Sequence, residues 1–493
     1  MNNDQKTERD ALGFAERVKA AVIWRSGGQI VAQFITWAAT FIVIRLLQPT
    51  DYGLFAMAQV VLVFLNLMNG YGFANALVQS ESVDRRKIAQ VFGMLILLNG
   101  GLALGQIAMA PVAASYFRQP MVADLLTVQA LLYLFTPFIA IPNALLSREI
   151  DFSRQAKVNL LAAVLSAAAA LFCAMLGFGV WTLVIAPLVL FGARAVGLTL
   201  ALPWLVPPSF RFEGAGTMFR YGGAMVLVQF FWFVQSQSDV FIAGRSVSPH
   251  DLGIYTTALF LTQIVAAKFV PPLNEVAFAA YSRIQTRPGG LASSFLKAVR
   301  LIMLLTLPFH FGLAATAEPL ILTMLGEQWV EAVPLVRILA LAMPFMTLQI
   351  LFGPATNALG RAGIALRVSV AGALIMSASF FIGIQFGTEG LAFAWLAGFP
   401  LLTAITAAFS LPVIGVTAGA LLRAVMPGLA TSAAMLAAVL CLDALLPPLP
   451  AQARLLILVS SGAAAYGALL MLFARNVVAE LLALARRRPP AAA

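Results

Sequence analysis

The chain has 493 residues, of which 61% are hydrophobic and only 10% charged, and its mean hydropathy is +0.92. That balance excludes a water-soluble enzyme, a disordered chain and a nucleic-acid-binding domain, and it describes an all-α polytopic membrane protein. The net charge of +11 then reads as an excess of Lys and Arg in cytoplasmic loops, with no nucleic acid as partner.

Residues 1–25 carry Lys6, Arg9, Arg17, Lys19 and Arg25 and no continuous apolar run, so no cleavable signal peptide is expected. Residues 10–23 fit an amphipathic helix lying on the cytoplasmic interface. A helix needs roughly 20 mainly apolar residues to cross the hydrocarbon core. Fourteen transmembrane helices are predicted, near 26–47, 53–79, 88–114, 121–146, 158–178, 180–205, 220–244, 252–279, 298–317, 332–357, 364–384, 389–411, 421–446 and 453–474. Every connection is short, which leaves no room for a soluble domain. The expected organisation is a cytoplasmic segment at 1–25, an N-lobe of six spans at 26–205 and a C-lobe of six spans at 206–411. Spans thirteen and fourteen at 412–475 and a basic cytoplasmic tail at 476–493 complete it.

Charge orients these spans. With the N-terminus inside, all of the 31 Lys and Arg residues fall on or beside cytoplasmic segments except Arg45, Arg118, Arg245, Lys268, Arg337 and Arg454. Such a bias places both termini in the cytoplasm.

The sharpest feature is an internal repeat two hundred residues apart. FIVIRLLQPTDYG from Phe41 and FIAGRSVSPHDLG from Phe241 share the frame F-I-x-x-R-x-x-x-P-x-D-x-G. Upstream, Arg25-Ser-Gly-Gly matches Arg220-Tyr-Gly-Gly. Apolar residues match by chance in membrane sequences; Arg, Pro, Asp and Gly in one register do not. Spans one and seven leave the cytoplasm in the same direction, so the two lobes are expected to be pseudo-symmetric parallel repeats enclosing a cleft.

Polar residues recur where lipid is expected. Span one carries Arg25, Gln29, Gln33, Thr36, Trp37 and Thr40 at helical spacing, one track along one face. Span seven places Gln229 near its start and Trp232, Gln235 and Asp239 on one side; span two adds Asn66, Asn69 and Asn75. Such side chains either glue helices together or line a cavity. Asp239 and Lys268 read as the deepest charges. A charge at a helix centre costs roughly 2.5–3.5 kcal/mol on insertion scales, so each has to face water, a ligand or a partner, and one alternative is that they neutralise each other. Arg45, Arg245 and Arg337 lie near outer helix ends, where they either snorkel or line the cleft. Asp51 and Asp251 each follow a proline and suit helix N-capping. Prolines at 137, 142, 187, 271, 272, 334, 344 and 354 are expected to kink their spans.

Several chemistries have no residues to carry them. There is no Walker motif for ATP hydrolysis. His250 and His310 belong to no metal-ligand spacing, and Cys173 and Cys441 sit in apolar runs, so neither a metal, a cofactor, a disulfide framework nor a catalytic residue is expected.

RSGGQIVAQFITWAATFIVIRLLQPTDYGLFAMAQVV at the start, SDVFIAGRSVSPHDLGIYTTA in span seven and AYSRIQTRPGGLASSFLKAVR after span eight resemble the polysaccharide transporter family. These are the Wzx-type oligosaccharide flippases of the multidrug/oligosaccharidyl-lipid/polysaccharide (MOP) exporter superfamily. The resemblance covers essentially the whole chain. It implies two lobes and fourteen helices in the bacterial inner membrane. It also implies flipping of undecaprenyl-diphosphate-linked oligosaccharide to the periplasmic leaflet for lipopolysaccharide or exopolysaccharide synthesis, without enzymatic chemistry. On that reading Arg25, Arg45, Arg220, Arg245, Lys268 and Arg337 supply positive potential for the diphosphate. Gln29, Gln33, Asn66, Gln229, Trp232 and Gln235 contact sugar, and the isoprenoid stays among membrane lipids. Asp239 is the H⁺ or Na⁺ coupling site, because a carboxylate away from water gains by taking on a cation. Polysaccharide assembly proteins are further expected partners. The rival functions are a multidrug or cation antiporter of the same superfamily, a membrane glycosyltransferase or polymerase, and a scaffold for an assembly complex.

Overall fold

The computed structural model describes residues 27–69, 77, 83–149, 151–202, 204–210, 223–285 and 289–473. The N-terminal segment with Arg25, the stretch with Arg220, Asn75 and the basic tail lie outside the described residues. So does each first member of the Arg-x-Gly-Gly match.

Among the described residues there are helices and turns but no strand. Eleven helical stretches are long and apolar enough to cross a membrane. One of them, 52 residues long, holds two spans, Ala362–Gly383 and Gly387–Ile414, joined by a single 3₁₀ turn. The helices Pro49–Asn66 and Gly223–Ser246 stand where spans two and seven are expected. Each of the fourteen predicted spans therefore has its helix.

The chain divides into two compact units. The first comprises Met1–Phe230 and Ser248–Gly253; the second comprises Phe231–Val247 and Ile254–Ala493.

In the first unit, span one is Gly27–Leu46 and span three is Arg85–Phe117, started by Asp84, whose carboxylate accepts from Lys87 N at 2.8 Å. Span four is broken at Ala130 into Met121–Gln129 and Leu131–Arg148. Spans five and six, Phe152–Met175 and Trp181–Ala201, are joined through Gly177 and Gly179, both at positive φ. Aromatic rings fill the core between spans three and four: Phe92 meets Trp204 at 5.2 Å and Phe138 at 5.6 Å, both edge-on. Such pairs add packing energy beyond the area they bury.

The repeat frame has a structural cause in this unit. Asp51 is the third residue of its helix, not the N-cap: it reaches back to accept from Gln48 N at 3.0 Å, closing a capping box. Asp251 is tied to Ser248 differently, its Oδ2 accepting from the Ser248 hydroxyl at 2.8 Å while its own N–H donates to Ser248 Oγ at 3.1 Å. Two residues on, the glycines leave no space for a side chain. A Cβ on Gly53 would run into the carbonyl oxygen of Pro249, and a Cβ on Gly253 into that of Pro49. Aspartate ties each helix start, and glycine lets the two starts touch backbone to backbone.

Span eight, which lies in the second unit from Ile254 on, is Pro249–Lys268 and Val270–Ile284, broken at Phe269. Pro271 and Pro272 sit in the first turn of the second piece, where a missing N–H costs nothing. Span nine is Gly290–Ala315. Span ten breaks at Leu351, between Ala332–Ile350 and Phe352–Ala358, three residues before Pro354. The core of this unit joins spans eight, nine, ten and twelve around Phe295 and Phe352, whose rings lie 5.3 Å apart. Spans thirteen and fourteen, Ala418–Leu445 and Ala451–Phe473, pack on span nine. A Cβ on Gly428 would stand 3.4 Å from Met303 O, and Tyr466 Oη donates to Leu304 O at 2.6 Å. Arg454 grips Asp443 with two bonds of 2.7 and 2.8 Å, the planar fork that makes this pair strong.

Candidate functional site

Two polar interiors stand out, one in each unit. The first is a cavity of about 570 Å³ within the first unit. Span two presents Phe55, Gln59, Leu62 and Asn66 to it, residues four, three and four apart and so on one helical face. Span four presents Gln129 and Tyr133 on either side of its break at Ala130, followed by Thr136; Pro187 and Phe191 of span six close it. Among the described residues no charged side chain lines it. Gln129 is 1% exposed and Tyr133 2%, yet Gln129 Oε1 and Tyr133 Oη have no hydrogen-bond partner. Buried polar atoms are nearly always satisfied; these two are closed off from the cavity space as they stand and would meet an occupant only by turning into it. A second cavity, about 290 Å³, shares Phe55 and Pro187 with the first and is lined by Thr36 and Thr40 of span one. Their hydroxyls donate to Ala32 O and Thr36 O, at 2.8 Å each, and are thus spent inside their own helix.

The second interior is a buried carboxylate in the second unit. Asp239 is 1% exposed. Its Oδ2 accepts from Tyr255 Oη at 2.8 Å and its Oδ1 from Val240 N at 2.7 Å. Tyr255 Oη in turn accepts from Trp395 Nε1 at 2.7 Å. Spans seven, eight and twelve thus meet in a chain of neutral donors ending on one carboxylate, with no ion-pair partner among the described residues. A lone buried charge is tolerated only with full hydrogen bonding, and the arrangement suits a group that exchanges a cation with its surroundings.

The remaining predicted residues separate. Trp232, Gln235 and Asp239 do share a face of span seven, which runs from exposed Trp232 to the buried carboxylate. Gln235 lies against span eleven, so close that a Cβ on Gly372 would strike its Oε1. Gln29 and Gln229 are exposed and Gln33 half-buried; none of the three lines either cavity. Arg45 and Arg245 are exposed at the ends of their helices. Lys268 is not paired with Asp239: it is exposed at the last turn before the break at Phe269, midway along the span Pro249–Ile284. Arg337 stands 3.7 Å from Glu318, which also faces Arg454 at 3.6 Å, so its charge belongs to a small ionic cluster. Of the polar residues singled out in the sequence, Asn66 and Asn69 line the larger cavity. Gln59, Gln129, Tyr133 and Thr136 escaped the sequence reading. The signal for Gln59 was present in the register Phe55, Gln59, Leu62, Asn66, a mixed polar and aromatic face on one span.

The fold is that of known membrane transporters. The lipid II flippase MurJ in its inward closed conformation matches with a TM-score of 0.73 and 13% identity, over 91% of this chain and 99% of its own. An inward-facing multidrug resistance MATE transporter of the MOP superfamily matches with a TM-score of 0.62 and 17% identity, over 80% and 98%. At those identities the likeness shows the fold alone. The succinoglycan biosynthesis transport protein ExoT of Rhizobium meliloti (strain 1021) is 24% identical over 97% of this chain and 98% of its own length. The teichuronic acid biosynthesis protein TuaB of Bacillus subtilis (strain 168) is 23% identical over 68% and 69%. The polysaccharide biosynthesis protein family matches residues 42–334, more than half of the sequence, and this multi-pass membrane chain belongs to that family.

Proposed function

We propose that the protein is a flippase that moves undecaprenyl-diphosphate-linked oligosaccharide across the bacterial inner membrane by alternating access. One observation carries the reading: likeness to a polysaccharide transport protein runs over 97% of the chain, on a fold shared with a lipid II flippase. The residues fit the task. Arg45, Arg245, Lys268 and Arg337, all exposed, with Arg25 and Arg220, attract the diphosphate. Asn66, Gln29, Gln33, Gln229, Trp232 and Gln235 offer amide and aromatic partners to sugar. Both termini face the cytoplasm, and the two lobes of the repeat rock about the substrate.

Asp239 is the coupling residue, and its coupling ion is the proton. An alkali cation needs several oxygen acceptors, whereas the groups aimed at this carboxylate are a tyrosine O–H and an amide N–H. Taking up and releasing a proton alters the Asp239–Tyr255–Trp395 chain that joins three spans, which gives the ion a lever on the helices. The chain carries out no covalent chemistry in this scheme.

The test is genetic and chemical together. Deleting the gene in its own organism should stop surface polysaccharide and leave lipid-linked repeat units on the cytoplasmic side. The wild-type chain should restore export, and Asp239→Asn should not. Normal surface polysaccharide without the chain, or resistance to cationic dyes as its sole phenotype, refutes the reading.

A further inference from the structure

The geometry points to the cavity of the first unit as a dedicated site for uncharged sugar residues of the headgroup, separate from whatever holds the diphosphate. This rests on the flippase reading and deepens it. The cavity of about 570 Å³ lies within the roughly 300–1,000 Å³ typical of ligand sites. Among the described residues it carries no Lys or Arg to face a phosphate and no Asp or Glu to face a cationic drug. An isoprenoid tail would leave its amides unsatisfied. What remains is a neutral ligand rich in hydroxyls.

The wall is built for such a ligand. Gln59, Asn66 and Gln129 supply amides, which both donate and accept. Phe55 and Phe191 supply flat apolar faces for the C–H side of a pyranose ring. Turned into the cavity, the two orphans would complement a sugar hydroxyl, which can donate to Gln129 Oε1 and accept from Tyr133 Oη. These two residues flank the break in span four at Ala130. Helical spacing holds both side chains on the same wall despite that break.

The site can be tested in the full-length chain inside its own cells, with lipid-linked oligosaccharide labelled by tritiated glucose or galactose. Leu132, on the cavity wall, is replaced by photo-reactive p-benzoylphenylalanine, and Leu134, exposed two residues away, serves as the control. Irradiation should transfer label at position 132 and not at 134. Tyr133→Phe and Gln129→Met keep the shape and remove one polar partner each, so membrane abundance should hold while labelling and export each fall about two- to tenfold, the worth of one neutral hydrogen bond. Asp239→Asn should abolish export yet keep the label at 132. If export depends on the chain but label at 132 is absent or no stronger than at 134, and both variants export at the native rate, the cavity is only a water-filled gap and this inference falls while the flippase reading stands. If export proceeds without the chain, the flippase reading itself falls.

Discussion

The two units hide polar groups in opposite ways. In the first, Gln129 and Tyr133 are buried beside empty space with atoms left over. In the second, Asp239 is buried without space, each oxygen taken by a donor. A wall with unmet bonds is shaped for a molecule. A carboxylate already enclosed has room for nothing larger than a proton. If the first interior holds sugar and the second exchanges protons, as proposed, binding and coupling use different residues, and mutations should pull them apart.

The largest expected effect is at Asp239. Asp239→Asn keeps the side-chain volume and removes the exchangeable charge, so gradient-driven uptake of labelled lipid-linked oligosaccharide into inverted vesicles should drop to background. Uptake that survives would end the contrast between the units. Next is the glycine contact: Gly253→Ala forces a methyl group against the Pro49 carbonyl, and overpacking of this kind costs about 1–3 kcal/mol, to be read as a lowered melting temperature in detergent. Tyr255→Phe leaves Asp239 and Trp395 Nε1 each short of a partner. A buried polar group so orphaned costs about 1–3 kcal/mol; that variant should melt earlier and also move the pH dependence of transport, which the glycine change should not. Gln59→Leu removes an amide from the cavity and should weaken transport only a few-fold, with little change in stability, because the half-buried amide makes no hydrogen bond among the described residues whose loss would count against folding. Smallest is Lys268→Ala. Exposed at a helix end, it should leave stability within about 0.5 kcal/mol of the native chain, and any loss of transport would then report charge alone.

Much of the architecture was legible because it is written in local patterns. Apolar length marked the spans, and the frame F-I-x-x-R-x-x-x-P-x-D-x-G marked the repeat. The helical register of span seven placed Trp232, Gln235 and Asp239 on one face. Depth was less legible. Lys268 reads as mid-span within an apolar run, and no local pattern announces that the helix is interrupted one residue on, at Phe269. Arg337 reads as a spare charge; its companion Glu318 belongs to another helix, and such pairings have no sequence spacing. The cavity of the first unit is the extreme case. Three spans each contribute a short face, and no single span announces it. Asp51 and Asp251 were read correctly as capping residues but one turn position off, since a capping box and an N-cap use the same residue types.

Spans thirteen and fourteen lie outside the duplication, yet Arg454, Asp443 and Tyr466 fasten them to each other and to span nine. Whatever displacement the second unit undergoes in the transport cycle, this helical pair rides along as cargo. A fluorophore on the exposed side of span fourteen, at Leu456 for instance, 69% exposed, would then report that displacement without touching the residues proposed to handle sugar or proton.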